Sequence, residues 1–225
     1  EWAEQLGMSP EKLLASLAQH SQSVDWYGFR HEDYGTIEYK LEIMEGHITN
    51  LCWDFRMLPL ERFVISDKLT IKHLHIKLVR VPEGRLALNL QFLETLYFDN
   101  CGVRELDLRG LKSLRRLSCQ NNYLEKLDLS LPKLEFLQCR DSHIKHLDLT
   151  AVPALKSLSC GNFTETWGDE YQLTKLDLSP VPDLRRLSCP GNRLTRLDLS
   201  PVKKLVLLNC ASNELTELDL SPVPM

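Results

Sequence analysis

The sequence predicts a solenoid of short stacked strands, and three observations carry that prediction. The tripeptide Leu-Asp-Leu recurs with its aspartate at 107, 128, 148, 177, 198 and 219. Between its copies a second phrase recurs: Leu-Ser-Cys at 117–119, Leu-Gln-Cys at 137–139, Leu-Ser-Cys at 158–160 and 187–189, and Leu-Asn-Cys at 208–210. Successive aspartates are 21, 20, 29, 21 and 21 residues apart. A fixed period of this length marks a repeat architecture.

Each half-unit reads L-x-x-L-x-L, with cysteine often at the last apolar place. Its last three residues alternate in, out, in, which is a short strand of period two. One such strand buries two side chains and cannot stand alone. Copies stacked about 4.8 Å apart form a parallel sheet and merge their leucines into one core. Two phrases per unit predict two parallel sheets, one on each side of that core. No helix-length apolar pattern fits inside the unit, so the solenoid should be rich in strands and turns. Asn122, Asn192 and Asn213 stand three residues after a cysteine. Asparagine there suits a turn whose backbone groups are hidden from water. Ser142 and Cys101 hold that place in two other units.

The phrase L-x-x-L-x-L/C-x-x-N-x-L, alternating with L-x-x-L-D-L, resembles the leucine-rich repeats, specifically their irregular 21-residue bacterial type. The resemblance covers residues 93–222. It implies a leucine-rich repeat solenoid of the α/β horseshoe class, with stacked parallel β-strands and a short α-helical segment at the N-terminus. It also implies use in protein recognition, although fold alone does not name a partner. Three weaker copies lie upstream: Ile48-x-x-Leu51-x-Trp53, Leu60-x-x-Phe63-x-Ile65 and Ile71-x-x-Leu74-x-Ile76. Residues 77–92 fit poorly. The expected organisation is a helical N-terminal cap, or the tail of an upstream domain, over 1–40. A β-hairpin and degenerate repeats follow over 41–92, then regular repeats over 93–225 with an insertion near 163–171.

Within 1–40, Ser9 reads as a helix N-cap, Pro10 as the first helical residue and Gly7 as the end of a preceding short helix. The Ala3-to-Leu13 pattern also looks like the turn of a helix-turn-helix. However, the segment holds Lys12, Arg30 and Lys40 against seven acidic residues, which argues against a phosphate backbone as ligand. Thr36–Ile43 and His47–Phe55 read as a hairpin around Glu45-Gly46, placed to start the sheet. The sequence begins at Glu1, and at Met225 it stops in mid-pattern. It is read as part of something longer, and its last edge is expected to pair with another chain or to continue.

Cysteines 119, 139, 160, 189 and 210 share one inward position on successive strands. Ligands for a metal must converge on one point, whereas a ladder spreads them along a line. They read as small buried apolar residues, reduced thiols suited to a reducing compartment; a cytoplasmic location is expected. The aspartate row faces outward. It is preceded, one residue before the second leucine of its phrase, by Glu105, Lys126, His146, Lys175, Arg196 and Glu217. Local ion pairing is the expected balance, with bonding to the next turn as the alternative. His73 and His75, and His143 and His146, are near neighbours, but no cysteine or carboxylate cluster completes either pair. No phosphate loop or nucleophile elbow appears. No catalytic residue, metal site or cofactor is expected, nor a membrane span.

Two features depart from pure repeat. The outward strand positions carry Tyr97, Arg116, Phe136 and Arg186, flanked by Arg115 and Arg140; arginine and aromatics are enriched at interfaces. The eight-residue lengthening after Cys160 brings Phe163, Trp167 and Tyr171 among Glu165, Asp169 and Glu170. These nine residues (Tyr97, Arg115, Arg116, Phe136, Arg140, Arg186, Phe163, Trp167 and Tyr171) are the expected contact points of a non-catalytic module that binds a protein partner. Alternatives are the binding arm of a bacterial effector or toxin-neutralising protein, a structural spacer, and a DNA-linked regulator.

Overall fold

The computed structural model describes residues 7–19, 70–77, 84–162 and 172–223, together with Ala3 and the segments 22–23, 38–39, 42–44 and 47–54. Its elements, in chain order, begin with helix α1 (Pro10–Gln19) and strands β1 (Gln22–Ser23), β2 (Glu38–Tyr39), β3 (Glu42–Met44) and β4 (His47–Asp54). Next come β5 (His73–Lys77), β6 (Arg85–Ala87), β7 (Thr95–Tyr97) and β8 (Glu105–Asp107). The last are β9 (Arg116–Ser118), β10 (Phe136–Gln138), β11 (Ser157–Ser159), β12 (Arg186–Ser188) and β13 (Leu207–Asn209).

The strand phrases stack as their period requires. Among the described residues one nine-stranded sheet runs β3-β4-β5-β7-β9-β10-β11-β12-β13. From β4 onward every pair is parallel and in register, so that Leu51, Leu74, Leu96, Leu117, Leu137, Leu158, Leu187 and Leu208 form one column. The first seven of these are buried in one continuous cluster. Full burial of a leucine contributes roughly 1.5–3 kcal/mol, so the column supplies much of what holds such short strands together. A one-residue slip would turn every leucine outward.

The upstream phrases at 48–53 and 71–76 belong to this sheet, as β4 and β5. The phrase at 60–65 lies outside the described residues. The hairpin is present as β3 against β4, antiparallel, with β3 on the sheet's edge. Its first arm is shorter than expected, because Glu38–Tyr39 pairs instead with Gln22–Ser23. The N-terminal helix starts as its sequence indicates, with the Lys12 amide donating to Ser9 Oγ (3.2 Å). Ahead of it Gly7 adopts φ +61° and the Met8 amide donates to the Ala3 carbonyl (2.9 Å), a glycine-ended helical turn. Leu13 belongs to the same buried cluster as the repeat leucines.

The second sheet is much smaller than two phrases per unit suggested. Among the described residues only β6 and β8 pair there, in parallel, Leu86 opposite Leu106. Farther along, the Leu-Asp-Leu segments form no strand. Single backbone bonds tie neighbouring coils, such as the Tyr123 amide to the Val103 carbonyl (2.8 Å) and the Arg193 amide to the Leu173 carbonyl (2.9 Å). Residues 85–90 also correct the poor fit expected for 77–92: Leu86, Leu88 and Leu90 are buried repeat leucines, and Ala87 stands opposite Asp107.

The outer face of the strand ladder as candidate functional site

Outward-facing side chains of β7 to β13 form two rows, because a strand presents alternate residues to one side. In the row after the column leucine, Ser118, Gln138, Ser159 and Ser188 are buried. The row before it holds the larger side chains, and Arg116, Phe136 and Arg186 there are half-buried. Strand register sets Phe136 opposite Arg116, and the Arg116 guanidinium lies 4.7 Å from the centre of the Phe136 ring. A cation over an aromatic face at an exposed site contributes roughly 0.5–1 kcal/mol, which favours the two side chains lying together.

Beside this pair runs a ladder of charge. Arg115 Nη1 and Lys156 Nζ both donate to the Glu135 carboxylate, at 2.9 and 2.8 Å. Two cations thus share one carboxylate. On the far side of the strands, Arg140 donates through Nε and Nη2 to Gln120 Oε1 (3.0 and 2.7 Å). Gln120 in turn donates from its amide and Nε2 to Asp99, which also accepts from Ser118 Oγ (2.5 Å). Burial pushes the Asp99 carboxyl above the usual carboxylate range, against the bonds from Ser118 and Gln120 that hold it down. Gln138 Oε1 and Ser159 Oγ, on residues opposite each other in register, are buried without a hydrogen-bond partner among the described residues. Such an orphan costs roughly 1–3 kcal/mol.

The Leu-Asp-Leu side has a different chemistry. The carboxylates of Asp148, Asp177, Asp198 and Asp219 each accept the amide two residues on, from Thr150, Ser179, Ser200 and Ser221, at 2.9 Å. These bonds, to ionised carboxylates, lower all four pKa values. Asp107 is held lower still, at about 2, chiefly by the Arg109 side chain. The aspartates therefore cap turns, and the expected pairing with Lys126, His146, Lys175 and Arg196 gives way to that role. Arg196 acts on Asp198 only as a weaker, more distant charge. Clefts of about 490 and 500 Å³ open on either side of Leu106, the first lined by β6, β8 and Arg109, the second by Arg104, Tyr123 and Lys126. Among the described residues no group of three His, Cys, Asp or Glu side chains could hold a metal. No helix there is long and apolar enough to cross a membrane.

The turns after each strand show how the coils are closed. Asn122 Nδ2 donates to the carbonyls of Phe98 and Cys119 (2.9 Å each), and its Oδ1 accepts the amides of Cys101 and Val103 (3.1 and 3.0 Å). Asn192 repeats this with the Cys160 and Cys189 carbonyls and the Leu173 amide, and Asn213 with the Cys189 and Cys210 carbonyls and the Leu194 amide. In these three turns the asparagine joins its own coil to the one before, behind a parallel strand whose leucines point inward. These are leucine-rich repeats.

No family model and no curated protein matches the chain. Solved leucine-rich repeat structures do. The functional domain of InlJ from Listeria monocytogenes, which includes a cysteine ladder, is similar at 28% identity and a TM-score of 0.47 over 74% of this chain and 38% of that one. A leucine-rich repeat protein of Leptospira interrogans is similar at 19% identity and a TM-score of 0.49, over 73% and 51%. An internalin of Listeria monocytogenes is similar at 20% identity and a TM-score of 0.44, over 68% and 51%. The chain spans between 38% and 51% of the length of these structures.

Within the leucine-rich repeat the cysteines form the predicted ladder. Cys119, Cys139, Cys160 and Cys189 are buried and Cys210 is half-buried, all as free thiols. Phe98 fills the same place one turn earlier, and Cys101 occupies the asparagine position. Its Sγ lies 3.5 Å from the Ile76 carbonyl and 3.4 Å from the Asp99 carbonyl. Burial pushes Cys139 and Cys189 up to about 12, and Cys119 and Cys160 also well above a free thiol. Only the thiolate is a good nucleophile. Iodoacetamide at pH 8 is therefore expected to modify Cys210 in the native chain long before Cys119, Cys139, Cys160 or Cys189. Peptide mapping that finds all five alkylated at one rate would contradict the buried ladder.

Of the nine predicted contact residues, Arg115, Arg116, Phe136, Arg140 and Arg186 come together on the outer face. Tyr97 does not join their accessible surface. It is 4% exposed, because it packs edge-on against His75 of the neighbouring strand, ring centres 6.1 Å apart. Phe163, Trp167 and Tyr171 lie outside the described residues. Sequence reading passed over Val206 and Leu207, which are 79% and 38% exposed beside Arg186 at the end of the same face. Their signal was present: apolar residues at places where earlier units carry Arg115, Arg116, Arg185 and Arg186. It also missed Arg104, whose guanidinium stands 5.2 Å from the Tyr123 ring centre.

Proposed function

We propose that this leucine-rich repeat chain is a non-catalytic protein-recognition module that holds its partner against the outer strand face between Arg115 and Arg186. The observation that carries this reading is the Arg116–Phe136 stack, set on a parallel sheet beside the Arg115–Glu135–Lys156 ladder. Rigid aromatic and guanidinium groups lose little freedom on docking, and such groups dominate interface energetics. The inserted aromatic segment is proposed as a second contact through Trp167. The thiol ladder supports placement in a reducing compartment such as the cytoplasm.

A comparison of baits in the native host tests this. Wild-type chain and a K175E variant on the opposite side should retain the same protein partner. An R116E/R186E variant should lose it while its stability falls by no more than the roughly 0.5–1 kcal/mol of the Arg116–Phe136 stack, and Trp167→Ala should weaken capture without lowering stability. Retention by R116E/R186E, or equal loss with K175E, would place the partner surface elsewhere.

A further inference from the structure

The outer face carries a charge opposite in sign to that of the chain. Among the described residues from Glu94 to Ala211 its strands and the rows flanking them on both sides present six cations: Arg115, Arg116, Arg140, Lys156, Arg185 and Arg186. Four carboxylates oppose them: Glu94, Asp99, Glu135 and, at the margin, Asp183, which binds Lys204 and lies near Lys156 and Arg185. The whole chain is −4, so the excess of cations is local. Glu135 already serves two of the cations, and Arg140, bonded to Gln120, also lies near the Asp99 carboxylate. A surface of this kind draws an anionic partner and rejects a cationic one.

Register gives the spacing. Arg116 and Arg186 hold the same place on β9 and β12, three strand steps apart through Phe136 and Ser157. Parallel strands are about 4.8 Å apart, so the two guanidinium stems are separated by about 14 Å. An extended peptide advances about 3.3 Å per residue and shows alternate side chains to one side. Laid across the strands, it brings residues i and i+4 over the two arginines, and residue i+2 over the step between Phe136 and Ser157.

We propose that the face recognises an extended acidic segment of a partner protein with the pattern Glu-x-Leu-x-Glu, its carboxylates on Arg116 and Arg186 and its apolar residue beside Phe136. The apolar component favours protein over nucleic acid. Phe136, half-buried between the two arginines, matches an aliphatic side chain. The turn-capping aspartates on the other side of the solenoid confine attraction to one strip, where a long polyanion would meet repulsion at the margins. This inference rests on the strand face being the partner surface.

Fluorescence anisotropy with the purified chain tests it, using labelled Ser-Glu-Ser-Leu-Ser-Glu-Ser, an isomer with adjacent glutamates, and single-stranded oligothymidylate. The spaced peptide is expected to bind more tightly than the isomer. R116E and R186E should each weaken it by about tenfold, the effect of losing one charge-assisted contact, and K175E should leave it unchanged. A peptide with lysine for the glutamate over position 116 should recover binding to R116E but not to wild type. Equal binding of the isomer would reduce the effect to general charge attraction and overturn the register. Preference for the oligothymidylate would overturn the protein partner, and no binding of any probe at millimolar concentration would overturn anion recognition altogether. Should the peptide fail while R116E/R186E still abolishes partner capture, the recognition face stands and only its acidic ligand is rejected.

Discussion

Gly191→Ala is expected to destabilise the chain by about 3 kcal/mol, and Gly191→Asn by roughly 1–3 kcal/mol. Gly191 lies two residues after Cys189 at φ +64°, a left-handed conformation. The equivalent places one turn apart are held by Asn121 (φ 54°), Asp141 (φ 50°) and Ser212 (φ 54°), so that conformation does not by itself demand glycine here. The difference is what lies opposite. A Cβ on Gly191 would stand 1.8 Å from the Asn162 carbonyl oxygen and 2.9 Å from its carbon. Asn162 also donates its amide to the Pro190 carbonyl (2.8 Å), so the two backbones are clamped together and neither can retreat alone. Alanine thus meets a left-handed cost of about 1–2 kcal/mol and overpacking of roughly 1–3 kcal/mol. Asparagine relieves the first and not the second. Urea unfolding of both variants decides between the causes, since an asparagine variant as stable as wild type would mean that φ alone selects the glycine.

The second large effect lies one residue on. Asn192→Ala is expected to cost roughly 3–5 kcal/mol, because it orphans the carbonyls of Cys160 and Cys189 and the amide of Leu173 at a site 3% exposed. Each buried unsatisfied group costs roughly 1–3 kcal/mol. Asn213→Ala removes the same pattern of bonds from a half-buried turn. Water can replace those bonds, so about 1 kcal/mol is expected there, within the usual net worth of a hydrogen bond. Hydrogen exchange at the Leu173 amide should accelerate only in the Asn192 variant. Equal costs at the two positions would mean that the ladder gains nothing from burial.

The column of leucines, the cysteine ladder and the asparagine turn were legible because each follows from periodicity. A side chain that must point inward recurs at the same offset in every unit, and stacking carries that offset into space. The 29-residue step shows how far this reaches. Leu158 still pairs with Leu187 in register, so the added residues do not shift the sheet, as a break in an otherwise constant period suggests. The candidate face was legible in its arginines and in Phe136 for the same reason. Tyr97 was not, since the same outward parity that exposes a side chain elsewhere sets it against His75 on the next strand.

Taken alone, the sequence determined that the chain is a strand-stacked leucine-rich repeat, which positions turn inward, and where the period is broken. All of these are properties of spacing along the chain. The tertiary structure decided the rest, because it depends on distances between coils that spacing does not encode. The second sheet shrinks to β6 and β8, and the aspartates farther along cap their own turns. Gly191 is required by a carbonyl twenty-nine residues away in another coil. The six cations become one strip only when β9 to β12 lie side by side, which is what turns scattered arginines into a surface of defined spacing.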